Sequence, residues 1–365
     1  MTVKGWCPGA WRPMMSGDGL IVRIRPRLGR LDRAQALGLC ALSQELGNSV
    51  IDLTSRANLQ MRGLDADHHG KALEALFDLC LLDATAEDEA RRNIVVTPDW
   101  TEGDLTHRLH SALIAALPDL PALPAKMGIA VDTGARRRLG GTSADMRLER
   151  GAAGGLILRA DGADTGITVP EDGAAQAVVA LAQWFVDTGG ASAGRMARHL
   201  AQHPLPDAWQ GCAPAPTAQP VTPGNGTFGA PFGSIDARAL AALITDSAAT
   251  ALRVTPWRLF TLENARACNP HGFVTDARDP LLQVHACPGA SACASATVDT
   301  RALARRIARP GLHVSGCAKG CAHPRVAATT LVGRDGAYDL VENGHPWDAP
   351  RQRGLAPDDL LTPAS

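Results

Sequence analysis

The sequence predicts an α+β fold in which a small ferredoxin-like unit occurs twice, each copy accompanied by α/β structure. Three observations lead there. A strand–helix–strand–helix succession runs from Gly19 to about residue 82, the order of a split βαβ unit. Its opening recurs beyond a Pro-rich stretch: Gly29-Arg-Leu31-Asp32 faces Gly233-Ser-Ile235-Asp236 at an offset of 204, and Leu53-Thr54-Ser-Arg56 faces Val254-Thr255-Pro-Trp257 at an offset of 201. Four of the nine cysteines (Cys287, Cys293, Cys317, Cys321) fall within 35 residues. A chain of 365 residues accommodates two or three domains, and two pseudo-equivalent halves commonly build one site at their interface.

Gly19-Leu-Ile-Val-Arg-Ile-Arg25 alternates as a strand and places Arg23 and Arg25 on one face. Asp32 caps a helix whose apolar positions include Ala34, Leu37 and Ala41, ending at Gly47. Val50–Thr54 is a second strand, followed by the polar segment Ser55–Gly63 and an amphipathic helix over about 69–82 carrying Ala72, Leu73, Leu76, Phe77 and Cys80. From about 85 to 205 an α/β layer follows: a strand at Asn93–Thr97, a helix near 104–116, strands near 126–131 and 155–159, and a helix over 172–187. Six prolines between Pro204 and Gly226 mark a stiffened linker.

Apolar residues make up 45% and charged residues 20%, ordinary for a globular protein. A net charge of −1 argues against a general nucleic-acid binder, which needs a basic surplus. Only four of the 36 basic side chains are lysines (Lys4, Lys71, Lys126, Lys319). An Arg-rich genome accounts for this, as does a site for several carboxylates, which Arg holds bidentately. No stretch reaches the roughly 18 apolar residues of a membrane span, and the N-terminus shows no signal core. The expectation is a cytoplasmic protein with reduced thiols.

In that setting His285-Ala-Cys287-Pro-Gly-Ala-Ser-Ala-Cys293 and Gly316-Cys317-Ala-Lys319-Gly320-Cys321-Ala-His323-Pro324 carry the strongest chemical signal. Four thiolates spaced Cys-x5-Cys and Cys-x3-Cys suit an iron–sulfur cluster. Zinc pairs are usually closer than x5, and inert buried thiols are the plainest alternative. Cys7, Cys40, Cys80, Cys212 and Cys268 are scattered. Trp6, Trp11 and Trp257 read as core, Arg136-Arg137-Arg138 as a flexible solvated loop, and His285, His313 and His323 as core or capping residues, with a mononuclear iron as the sharper use.

The cysteine signature resembles that of the sulfite and nitrite reductase superfamily, and the likeness covers nearly the whole chain. Leu53-Thr-Ser-Arg56-Ala-Asn58-Leu-Gln60-Met-Arg62-Gly63 is similar to its tetrapyrrole-binding Thr-x-Arg-x-x-x-Gln loop. Arg91-Arg92-Asn93 is similar to its Arg-Asn loop, and Leu123-Pro124-Ala-Lys126-Met-Gly128 to its Leu-Pro-x-Lys-x-Lys loop. Gly128 stands where the second anion-holding lysine belongs, which disfavours a sulfite or nitrite reductase. Gly5-Trp-Cys7-Pro-Gly-Ala-Trp11-Arg-Pro13-Met14, Ser16-Gly-Asp18-Gly19-Leu20, Ala230-Pro-Phe-Gly233 and Thr255-Pro256-Trp257-Arg258 resemble the precorrin-3B synthase branch.

The resemblance implies two ferredoxin-like repeats and two α/β lobes in a pseudo-twofold arrangement. The corresponding division is 1–83, 84–203, the linker 204–226, 227–283 and 284–365. It implies a [4Fe–4S] cluster on Cys287, Cys293, Cys317 and Cys321, with a mononuclear non-haem iron as a further candidate. Precorrin-3A would be hydroxylated at C20 with lactone formation, using O₂ and electrons from NADH or a reductase partner. Arg23, Arg25, Arg56, Asn58, Gln60, Arg62, Arg92, Asn93 and Lys126 are the expected substrate-binding residues. None of these arginines is near the cysteines in sequence, so their loss is expected to leave the cluster intact. No catalytic residue is readable. The alternatives are a sirohaem-dependent sulfite or nitrite reductase and a non-catalytic tetrapyrrole or iron–sulfur binding protein.

Overall fold

The computed structural model describes residues 8–361. Gly5, Trp6 and Cys7 of the opening motif lie outside the described residues.

Two antiparallel sheets form the centre. One runs, in spatial order, Met14–Ser16, Gly19–Ile24, Leu59–Leu64, Val50–Leu53 and Ser234–Asp236. The other runs Thr227–Gly229, Leu259–Glu263, Ala251–Val254 and Arg30–Asp32. The recurring segments at 29–32 and 233–236 are therefore exchanged: Ile235 pairs with Ile51 of the first repeat, and Leu31 with Leu252 of the second. Both exchanged strands follow the same sharp turn, with left-handed backbone at Leu28 and Gly29 (φ 56° and 64°) and at Phe232 and Gly233 (φ 63° and 75°). Asp32 and Asp236 then cap the helices Arg33–Glu45 and Ala237–Asp246, which pack on each other. Leu31, Leu39, Ile51, Ile235, Leu252 and Phe260 share one core, so the two repeats fold as a unit.

The pairs at 52/62 and 253/263 are also equivalent by the offset of 201, with their charges reversed. Arg62 meets Asp52 at 3.5 Å in the first repeat, and Arg253 meets Glu263 at 2.5 Å in the second.

Each half carries a mixed sheet with identical pairing senses. Ile94–Val96, Ile129–Asp132 and Met146–Arg150 are successively parallel, then Leu156–Ala160 and Ile167–Thr168 are antiparallel. In the other lobe His285–Ala286, Leu312–Ser315 and Ala327–Arg334 are parallel, then Ala337–Gly344 and Gln352–Leu355 antiparallel.

Several sequence expectations are corrected. The helix Arg33–Glu45 buries Ala36, Leu39, Cys40 and Leu42, whereas Ala34 and Ala41 face solvent. The helix expected over 69–82 ends at Asp78; Phe77 is exposed and Cys80 takes a left-handed conformation (φ 55°). Met146–Arg150 is a buried central strand although it reads as polar. Its charges are neutralised laterally, Arg147 by Asp161 at 2.8 Å and Glu149 by Arg159 at 3.0 Å. Arg136–Arg138 is not a flexible solvated loop, and the Pro-rich linker 204–226 lies against it. The Arg137 N–H donates to Pro216 O (2.9 Å), Ala218 N–H to Arg137 O (2.8 Å) and Cys212 N–H to Gly166 O (2.8 Å), so the Pro-rich segment is a strap along the first lobe. Among the described residues no helix is long and apolar enough to cross a membrane.

Candidate functional site

A cleft of about 340 Å³ opens between the first-repeat sheet and the cysteine loops. Asp52, Gln60 and Arg62 reach it from neighbouring strands, Arg258 from the equivalent loop of the second repeat, and Arg301 from the start of the helix Arg301–Ile307. Cys287 and Cys321 border the same space. Three guanidiniums against one carboxylate make this lining cationic. Asp52 links the two halves, accepting from Arg301 at 3.0 Å while facing Arg62 at 3.5 Å. Arg258 has left-handed backbone (φ 63°), a strained state of the kind found at functional sites. Its guanidinium donates to Val284 O (3.0 Å) and to His285 Nδ1 (2.5 Å). Burial lowers the Arg258 pKa to about 10, and nearby Arg301 adds to the shift.

The parallel strands of the second lobe deliver the cysteines. Cys287 directly follows His285–Ala286, and Cys317 follows Leu312–Ser315 through Gly316, whose N–H donates to Cys287 Sγ at 3.1 Å. Lys319 Nζ donates to Ser295 Oγ at 2.9 Å and ties the two loops together. Burial raises the Cys321 thiol above its ordinary value, and repulsion by Cys317, Cys287 and Cys293 raises it further. Cys321 is thus within electrostatic reach of the other three thiols. Soft thiolates converging from two loops, with a backbone donor on one sulfur, fit a cluster that takes one ligand per iron. The mononuclear iron fits less well. Among the described residues no group of three or more His, Cys, Asp or Glu side chains stands close enough to hold a single ion. His285, His313 and His323 do gather, with ring centroids 3.9 to 6.5 Å apart. Burial, the largest cause, keeps His285 and His313 neutral, lowering them to about 3 and about 4.

The expected substrate residues divide. Gln60 and Arg62 border the cleft, and Arg23 faces Gln60 across the strand pair. Arg56 donates to Lys126 O (2.6 Å) and Ser143 Oγ (3.1 Å), bridging the first repeat to the first lobe, with the Lys126 side chain exposed beside it. Asn58 is buried, its N–H bonded to Thr54 Oγ1 at 3.1 Å. Arg25 and Arg92 lie outside the residues that line the cleft. Arg92 makes a buried bidentate pair with Asp83 (2.8 Å to each oxygen), and Arg25 donates to Glu89 O (2.6 Å). Both guanidiniums thus hold the segment 83–92, and the buried Arg25 Nε has no hydrogen-bond partner among the described residues. The Asn93 side-chain amide donates to Met127 O, and a Cβ at Gly128 would lie 2.9 Å from Asn93 Nδ2 and 3.0 Å from its carbonyl oxygen. A side chain at position 128 would press on Asn93.

Arg62 borders the cleft and is also engaged beyond it. It pairs with both oxygens of Asp18 at 3.0 Å and donates to Ala292 O at 3.2 Å, inside the Cys287–Cys293 loop. Ser16 Oγ donates to the same carbonyl at 2.9 Å. Arg62 is therefore a brace for the cysteine loop. Asp52, Arg258 and Arg301 went unrecognised from sequence. The repeat offset, which aligns Trp257-Arg258 with Arg56-Ala57, pointed to the loop of Arg258; Arg301 carries no such signal.

Residues 12–78 match the nitrite/sulfite reductase ferredoxin-like half domain, so the first repeat carries that half domain. The fold resembles the solved structure of the NirA protein of Mycobacterium tuberculosis, with a TM-score of 0.64 at 18% identity over 94% of this chain and 79% of that one. The chain is thus similar to nitrite and sulfite reductase proteins in its first repeat and in its fold. It is 29% identical to a Sinorhizobium sp. protein named precorrin-3B synthase, over 93% of this chain and 83% of the relative.

Proposed function

We propose that this chain is an oxidoreductase that hydroxylates a carboxylate-rich tetrapyrrole, converting precorrin-3A to precorrin-3B with O₂ and an external reductant. The observation that carries the reading is that one cationic cleft is bordered both by the guanidiniums of Arg62, Arg258 and Arg301 and by Cys287 and Cys321. Arginine matches carboxylate geometry, so Arg258 and Arg301 would fix peripheral carboxylates of the ring while the cysteine loops face it. Cys287, Cys293, Cys317 and Cys321 would hold the cluster, which supplies one-electron transfer when bound. The Asp52 carboxylate orients Arg301, and the His285 ring orients Arg258, so both cations are preorganised before a ligand arrives. Gly128 supports oxygenation over anion reduction, because it supplies no second cation beside Lys126.

The test is anaerobic purification with iron, sulfide and visible-spectrum analysis, followed by O₂ uptake on adding precorrin-3A. About four irons and four sulfides per chain, no Soret band, and substrate-dependent O₂ uptake with a hydroxylated lactone product are expected. Sirohaem bands with robust sulfite or nitrite reduction would replace the reading by a reductase. A cluster without turnover or product would leave a binding protein.

A further inference from the structure

The pairing registers superpose the two lobes residue by residue. Val95 pairs with Ala130 as His285 pairs with His313, and each of those partners is the second residue of a four-residue strand. Thr97-Pro98 therefore stands where Cys287-Pro288 stands. The backbone agrees: Thr97 N–H donates to Val131 O at 2.9 Å, as Cys287 N–H does to Val314 O at 3.3 Å. By the same register Gly134 replaces Cys317 and Arg138 replaces Cys321. The first lobe thus has a counterpart of the cysteine site, stripped of its thiols.

That counterpart is a cavity of about 230 Å³ at the C-terminal ends of the parallel strands, the edge where open α/β sheets bind ligands. Trp100 walls it off from the second repeat, with the Arg253 guanidinium 4.3 Å from its ring centroid. Arg136, Arg138 and Arg150 line it together with two carboxylates, and both carboxylates are already engaged. Asp99 pairs with Arg138, and Asp104 accepts from Thr101 N–H and His107 N–H, each at 2.8 Å. The arginines are only partly used. Arg136 donates through Nη1 to Thr217 O, Arg138 through Nε and Nη1, and Arg150 through Nε to Thr133 O and Nη1 to Gly154 O. Among the described residues the Nη2 group of each makes no hydrogen bond within the protein.

We propose that this cavity is a second binding site, for a small oxyanion: a phosphate group or a compact carboxylate. Three guanidiniums gathered in one pocket repel one another, and an anion there relieves the repulsion while using the idle donors. A surplus of cations disfavours a metal ion. Because Arg136 and Arg138 also hold the strap carbonyls of Thr217 and Gln219, a bound anion would clamp the strap to the lobe.

The experiment is titration calorimetry of the full chain in chloride buffer with inorganic phosphate, pyrophosphate and succinate. Saturable binding of one anion per chain is expected. Arg136→Gln and Arg150→Gln should each weaken it by roughly three- to tenfold, a charged hydrogen bond discounted for exposure. Arg258→Gln, in the main cleft, should leave it unchanged. Tighter binding of the phosphates or of succinate identifies the source of the anion. Hydrogen exchange on the unsubstituted protein, which needs no variant, should show phosphate protecting amides in 97–106 and 133–138. No saturable binding of any of the three up to about 10 mM, loss of binding on Arg258→Gln alone, or protection confined to 286–293 would overturn the proposal.

Discussion

Replacing Arg62 with Met should both destabilise the protein and strip iron from a cysteine site 225 residues away in sequence, counting from Arg62 to Cys287. The Arg62 side chain is 6% exposed, and its partners Asp18 and Asp52 are 11% and 12% exposed. Deleting one member of a buried ion pair costs about 3–5 kcal/mol, chiefly by stranding the other charge. Asp52 keeps Arg301 at 3.0 Å, and Asp18 keeps the Asn48 amide at 2.9 Å, so the lower end, about 3 kcal/mol, is expected. The Ala292 carbonyl also loses a charged donor, a contact worth about 1.5–3 kcal/mol, and among the described residues retains Ser16 Oγ. The assays are the urea midpoint and iron and sulfide per chain after anaerobic purification. Arg62→Met combined with Asp18→Asn should recover about 1–2 kcal/mol, because no unpaired charge remains at that end, but not the iron. An Arg62→Met protein within about 0.5 kcal/mol of the parent and carrying its full iron would refute the bracing role and return Arg62 to the substrate.

Ser in place of Cys287, Cys293, Cys317 or Cys321 should each lose most of the iron and sulfide, whereas Ala at Cys212 or Cys268 should retain them; full iron in Cys287→Ser would sink the ligand assignment. Gly128→Lys should confer no sulfite or nitrite reduction and should lower the melting temperature, because its Cβ would press on Asn93; a gain of anion reduction would contradict this. Burial, aided by Arg92, lowers His110 to about 4, so this neutral ring contributes stability above the unfolded pKa of about 6.5. That contribution is lost as pH falls from about 6.5 to about 4, amounting to roughly 3 kcal/mol. Urea melts of the parent and His110→Gln across this window should converge toward acid, and parallel curves would show that His110 takes up its proton equally in the folded and unfolded states.

The duplication was legible in sequence because it rests on local rules. The Gly29 and Gly233 turns need left-handed backbone, Asp32 and Asp236 need to cap, and both demands leave residues of fixed type at fixed spacing. The strand exchange was not legible. A strand's own residues specify an edge to be paired, and its partner is chosen by whichever sheet presents a matching one. Met146–Arg150 was missed for a related reason: Arg147 and Glu149 read as solvent-facing until Asp161 and Arg159 are seen beside them. The helix Arg33–Glu45 was recognised with its buried face misassigned, since Ala, Gly and Leu occur on every side of it and only the packed neighbour selects one.

The cysteine group follows the same division. It was readable as a candidate ligand set because thiols are few in this chain and four of them recur at close intervals. The arginines are the opposite case. Thirty-two of them offer interchangeable guanidiniums, and a guanidinium takes the nearest well-placed acceptor, which is a property of distance in space. Tertiary structure therefore assigned Arg92 to Asp83, Arg62 to Asp18 and the Ala292 carbonyl, and left Arg258 and Arg301 facing the cleft. Sequence determined which chemical groups this protein has and where its backbone must turn. Folding decided which charges meet one another and which remain for a ligand, because Coulombic and hydrogen-bonded partners are selected within a few ångströms and the sequence separations here run to hundreds of residues.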